Sequence, residues 1–104
     1  MGEKYQTTFS IPANHPALPG HFPGAPVVPG VVLLDLVLQT SEASHGSPVK
    51  ASGLRHVKFH LPLLPDQRAE LMLELDTQQL AFRIAHGEQL IAQGAFDLEP
   101  RFKE

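Results

Sequence analysis

Eight consecutive residues, Val31 to Leu38, contain a single polar side chain, Asp35, and the run comes directly after Pro29-Gly30. Pro29 and Gly30 open a helix that continues to about Ser44 and closes near His45-Gly46. A helix apolar on every face belongs inside a fold, so whatever else this chain forms must be laid around it. The lone carboxylate is then costly. Burying an unpaired charge costs several kcal/mol or forces neutralisation, so Asp35 needs a structural partner, such as a backbone group or a neighbouring histidine, or a chemical task.

The rest of the chain reads as strands. Tyr5, Thr7, Phe9 and Ile11 alternate, which predicts a first strand over residues 4 to 11 with one half-buried face. From Pro12 to Pro29 the chain holds six of its ten prolines, a composition for a fixed, irregular loop whose length and apolar content favour a functional one. Leu54 to His60 is a strand stopped by Pro62 and Pro65. Ala69, Leu71, Leu73 and Leu75 alternate with Glu70 and Glu74, Leu80, Phe82 and Ile84 define the next strand, and Leu90 to Leu98 the last, with Gly94 marking a bulge. One buried helix and about five antiparallel strands leave one economical arrangement, an α+β domain over residues 1–104 in which the sheet wraps the helix.

At 104 residues and 42% hydrophobic, such a domain has a small core, so a dimer is expected. Eleven acidic against eight basic residues, net −3, argue against nucleic acid or an anionic membrane as partner. The absence of cysteine removes disulfides and thiolate chemistry. The N-terminal MGEKYQTTFS has no signal-peptide character and no apolar run reaches the ~20 residues that span a bilayer, so a soluble, cytoplasmic protein is expected.

His21-Phe22-Pro23-Gly24, then Pro26, then Pro29-Gly30-Val31, with an acid at position 35, resembles the active-site loop and central helix of the hotdog-fold 3-hydroxyacyl-acyl-carrier-protein dehydratases. Val57-Lys58-Phe59-His60-Leu61-Pro62-Leu63-Leu64-Pro65-Asp66 is similar to a strand and turn of the same family. The resemblance implies a hotdog fold and a lyase that needs no metal or organic cofactor, acting on a 3-hydroxyacyl chain borne by an acyl carrier protein in fatty-acid or polyene biosynthesis. It also implies that histidine and acid meet across a dimer interface. Asp35 stands where many members have glutamate. The short N-terminus resembles the stand-alone dehydratases of aryl-polyene-type pathways.

Dehydration of a 3-hydroxyacyl thioester removes a proton from C2 and protonates the departing C3 hydroxyl, so a base and an acid must flank the substrate. The resemblance assigns the base to His21 and the acid to Asp35, whose expected desolvation among leucines and valines favours the proton-bearing form. Gly30 at the helix start offers an N–H to the thioester oxygen and, lacking a side chain, lets the thioester approach. The resemblance further implies substrate contacts at Phe22, Pro29 and Val31, and an acyl tunnel lined by Phe59 and Leu61. Basic residues among Arg55, Lys58, Arg68 and Arg83 would steer an acidic carrier if they gathered at its mouth, and are ordinary strand or turn charges otherwise.

His21 as a loop histidine packed on Phe22, and Asp35 as a structural residue, are the plainer readings; together they describe an inactive hotdog subunit that pairs with an active paralogue. A hotdog thioesterase is the enzymatic rival, with the helix carboxylate activating water. Six histidines raise a metal site, but His56 and His60 on one face of a strand would stand about 13 Å apart and nothing completes a ligand set.

Overall fold

The computed structural model describes residues 2–16 and 27–99. Their elements run β1 (Glu3–Phe9), α1 (Gly30–His45), β2 (Ala51–Phe59), β3 (Ala69–Leu75), β4 (Gln79–His86) and β5 (Gln89–Leu98). The strands form one antiparallel sheet in the order β1-β3-β4-β5-β2. The α+β arrangement of one helix and five strands is as expected, with strand ends shifted by up to three residues.

Alternation explains the central strands. Leu71, Leu73 and Leu75 are buried on the helix side while Glu70 and Glu74 face water, and on the neighbouring strand Leu80, Phe82 and Ile84 are buried in the same manner. Register places Phe82 opposite Leu73 and Leu80 opposite Phe96, and the Phe82 and Phe96 rings pack with centroids 5.9 Å apart. Asp76 shapes the β3–β4 turn, its Oδ1 accepting from the N–H groups of Gln78 (2.7 Å) and Gln79 (2.8 Å).

The helix begins and ends where its punctuation indicates. Pro29 is the N-cap at φ −62°, ψ 145°, and Gly46 at φ 84° closes the other end, its N–H donating to the Glu42 carbonyl at 2.8 Å. Leu33, Val37 and Ser41, four residues apart, are its buried positions and face the sheet. Here one expectation fails. The helix is not buried on every side: Val31, Asp35 and Gln39 form an exposed stripe. A five-stranded sheet curves round only one side of a helix, and nothing from the described residues of this chain covers the other.

A second correction concerns the bulge. Arg55 pairs with Ala95 and Lys58 with Gln93, so β2 advances three residues while β5 advances two. The extra residue is therefore on β2, at His56-Val57, and Gly94 lies opposite it. His56 has a left-handed backbone, φ 54°, which costs a non-glycine residue roughly 1–2 kcal/mol. His56 and His60 thus do not share the face of a regular strand; His60 lies beyond the end of β2, its Nε2 3.4 Å from the Gln93 amide. β5 carries its own irregularity between the partners of Ile84 and Ala85. No helix among the described residues is long and apolar enough to cross a membrane.

Two expected outcomes test this architecture. Leu33 is 2% exposed against the sheet, so Leu33→Ala is expected to lower unfolding free energy by about 2–5 kcal/mol in urea titration. The two backbone N–H groups hold the Asp76 carboxyl below its ordinary range. A depressed folded value stabilises fully above the unfolded value of 3.8 and loses that contribution as pH falls through the folded one. Asp76→Asn is therefore expected to reduce the acid-side fall in thermal stability below about pH 4.

Candidate active site

The start of α1 is electrostatically bare. Pro29 gives no side-chain cap and the first turn carries no acidic residue. The N–H groups of Val32 (3.0 Å) and Leu33 (3.4 Å) reach back to the Pro29 carbonyl. Those of Gly30 and Val31 have no acceptor within the helix, as geometry requires of its first positions. Two N–H groups at the positive end of a helix dipole are suited to an oxygen that gains negative charge.

Phe59, at the end of β2, lies across this helix start. A side chain at Gly30 would place its Cβ 2.7 Å from Phe59 Cζ and 3.0 and 3.1 Å from the Cε carbons, so the ring rests on the face of Gly30 where a methyl would stand. The bare glycine was expected to leave that space to an approaching thioester; in the structure the Phe59 ring fills it. Phe59 is 50% exposed, Val31 beside it 71%, and Leu61 is exposed just past the strand, with its N–H donating to the Ile91 carbonyl at 3.3 Å. Pro29, half-buried, completes this apolar surround.

Asp35 stands on the same helix stripe, one turn beyond Val31. It was expected to be buried and is exposed, because the face of α1 on which it lies points away from the sheet. Its Oδ2 accepts a 2.8 Å hydrogen bond from the Gln39 side-chain amide. Gln39 was not singled out from sequence, although a Gln four residues after an Asp is a recognisable helical pair. The structure thus brings together Pro29, Gly30, Val31 and Phe59 at the helix start, with Asp35 and Gln39 further along the same exposed stripe. His21 and Phe22 lie outside the described residues.

Arg55, Lys58 and Arg83 do not gather at this face. Arg55 is bound to Asp97 by two hydrogen bonds of 2.9 and 3.2 Å. Lys58 pairs with Gln93 and Arg83 with Gln93 and Met72, on the side of the sheet away from the helix. Among the described residues no three His, Cys, Asp or Glu side chains come together as metal ligands.

The chain is similar to known proteins over most of its length. The family model described as ApeI-like, ApeI dehydratase, matches residues 1–95. The chain is 35% identical over 74 residues to 3-hydroxyacyl-acyl-carrier-protein dehydratase FabZ of Mannheimia succiniciproducens, covering 64% of this chain and 49% of that protein. With FabZ of Haemophilus influenzae it shares 32% over 82 residues, covering 71% and 55%. The chain thus spans about half the length of the curated relatives it matches. Among solved structures, the dehydratase heterocomplex ApeI:P from Xenorhabdus doucetiae superposes with a TM-score of 0.83 at 27% identity, covering 91% of this chain and 86% of that one. The fluoroacetyl-CoA thioesterase FlK, at 16% identity and a TM-score of 0.65 over 94% and 84% of the two chains, shares the hotdog fold.

The close approach of ring and helix is open to a direct test. Gly30→Ala is expected to lower thermal stability despite alanine's better helix propensity, because the ring must move. Gly30→Ala combined with Phe59→Ala is expected to lose less than the sum of the single changes, a coupling of about 0.5–3 kcal/mol in a double-mutant cycle.

Proposed function

This chain belongs to the ApeI-like dehydratase family, and on that premise we propose that it eliminates water from a 3-hydroxyacyl thioester borne by an acyl carrier protein, giving the trans-2-enoyl thioester in fatty-acid or polyene assembly. The observation that carries the reading is one arrangement: the uncapped N–H groups of Gly30 and Val31 lie on the helix whose exposed stripe presents Asp35. A thioester carbonyl held at those N–H groups leaves its C2 and C3 atoms to extend along the stripe. Asp35 lies five positions after Gly30, about 7.5 Å along the axis, which suits a site that handles carbonyl and C3 hydroxyl in one substrate.

In this mechanism His21 takes the C2 proton and the electron pair of that bond becomes the C2–C3 double bond. The C3–O bond breaks, and the hydroxyl leaves as water with the proton of the Asp35 carboxyl. The helix N–H groups hold the charge that builds on the thioester oxygen as C2 is deprotonated. Gln39 holds one Asp35 oxygen and leaves the other for the substrate. Phe59 and Leu61 line the acyl path with Phe22, Pro29 and Val31. The proton then passes from His21 back to Asp35 before the next turnover.

We propose further that this site is completed by a second copy of the chain, in a soluble, cytoplasmic assembly. Val31, Leu54, Phe59, Leu61 and Leu64 are large apolar side chains left exposed, and among the described residues β2 is an edge strand paired on one side alone. A second copy laid on this face would cover them, take the Asp35 carboxyl out of water and bring the other subunit's His21 to it. A heteromeric partner of the same fold is the second reading, favoured by the heterocomplex of the Xenorhabdus doucetiae neighbour.

Purified protein supplied with a 3-hydroxyacyl-carrier-protein is expected to give enoyl absorbance without free thiol. Asp35→Asn is expected to cut that rate by about 10²–10⁴-fold with the fold intact. Thiol release without enoyl product would identify a thioesterase. Activity that appears only with a hotdog paralogue would identify the heteromeric assembly.

A further inference from the structure

Residues 54 and 59 are an odd number of positions apart, and in a regular strand they would face opposite ways. Yet Leu54 pairs with Phe96 and Phe59 with Ala92, both on the helix side of β5, while Arg55 and Lys58 pair with Ala95 and Gln93 on the other side. The bulge at His56-Val57 is what reconciles these facings. It puts two residues opposite Gly94, so that Phe59 turns toward α1 and Lys58 away from it. In an unbulged strand of the same sequence, a lysine would face Gly30.

The bulge is also fitted to its partner. A Cβ at Gly94 would stand 2.7 Å from Val57 Cα and 2.7 Å from Val57 Cγ2, so the bulged backbone sits in the space that any other residue at 94 would occupy. His56 is held in the left-handed region to make this possible. Backbone held in a sparsely populated conformation beside a site, on an edge strand that tolerates irregularity, is a feature to be explained by what it positions. Two residues past Val57 comes Phe59, the ring that rests on Gly30.

We propose that the Val57–Gly94 bulge is a positioning device for the helix-start oxygen site: it bends β2 toward α1 and thereby sets the Phe59 ring against Gly30, where the ring walls the Gly30 and Val31 N–H groups from water. This rests on the dehydratase reading given above. The positioning residues are Val57 and Gly94, which act through Phe59 and touch no reacting atom; at position 56 it is the extra backbone residue that counts, not the imidazole. Their contribution belongs to the chemical step, because excluding water strengthens the N–H groups most where charge develops.

The test compares four single variants and one combined variant of the purified protein with wild type, each assayed per folded molecule on a 3-hydroxyacyl-carrier-protein. Deleting His56 returns β2 to regular alternation from Gly53 onward and keeps every facing there, but removes the bend at 56–57. Thermal stability is expected to hold or rise, and kcat to fall by about 10²-fold, with KM little changed. His56→Gly keeps the bulge and relieves its backbone, and is expected to retain wild-type kcat with higher stability. Phe59→Ala is expected to match the kcat loss of the deletion, and the two changes together to cost no more than either alone. Gly94→Ala, which displaces Val57, is expected to lower kcat in the same manner. A deletion variant with wild-type kcat, or losses from the deletion and Phe59→Ala that multiply, would overturn the proposal. If deletion prevents folding, Gly94→Ala against His56→Gly decides it, since equal kcat in the two is the overturning result. Failure of wild type to form enoyl product strikes the dehydratase reading itself and is told apart by that control.

Discussion

The packing of one side of α1 on the sheet governs everything else in this molecule. Leu33, Val37 and Ser41 meet the apolar faces of the central strands, and Ser41 satisfies its buried hydroxyl by donating to the Leu38 carbonyl at 2.8 Å. Once that contact is made, the helix has a fixed rotation about its own axis. Its opposite stripe, with Val31, Asp35 and Gln39, must then face outward. The chain binds its helix by half its circumference and presents the other half, apolar side chains included, to whatever lies outside.

That division accounts for the character of the site. A helix N-terminus with no cap would ordinarily be a weak point, because its donors lack acceptors and its dipole lacks a countercharge. Here Pro29 supplies a preset backbone in place of a capping side chain, and the Phe59 ring packs on the face of Gly30. The candidate site draws on two elements far apart in sequence, the first turn of α1 and the last residue of β2, and both are fastened to the core by neighbours outside it. Val28 illustrates this: buried just ahead of the helix, its N–H donates to the Leu63 carbonyl at 2.8 Å, tying the helix entry to the segment after β2.

How much of this is legible in the sequence depends on the range over which each signal acts. The bounds of α1 are readable to within a residue or two because Pro29, Gly30 and Gly46 act on the backbone locally. The strands β3 and β4 are readable because alternation marks both, most plainly leucine with glutamate in β3. Gly94 does mark an irregularity, but the extra residue is on β2, since a bulge belongs to a pair of strands and one sequence shows only half of it. The exposure of Asp35 departs from expectation for a related reason. Apolarity on all faces does not show which face the chain's own sheet will take. Gln39 is visible at its spacing of four, yet nothing in the residue types alone distinguishes it from a solvent-facing amide.

The strand order also has a consequence for how the chain reaches this state. Among the described strands β2 hydrogen-bonds only to β5, and residues 60–88, which hold β3, β4 and their turns, separate the two in sequence. The hairpins β3–β4 and β4–β5 close over short turns and can form early, whereas β2 must wait for a distant partner and close a long loop to meet it. During synthesis β2 therefore emerges before the strand that completes it exists. For that interval its Leu54 and Phe59 are part of an unpaired segment, open to association with other chains. The docking of β5 is thus the event that both finishes the sheet and ends the chain's most exposed moment.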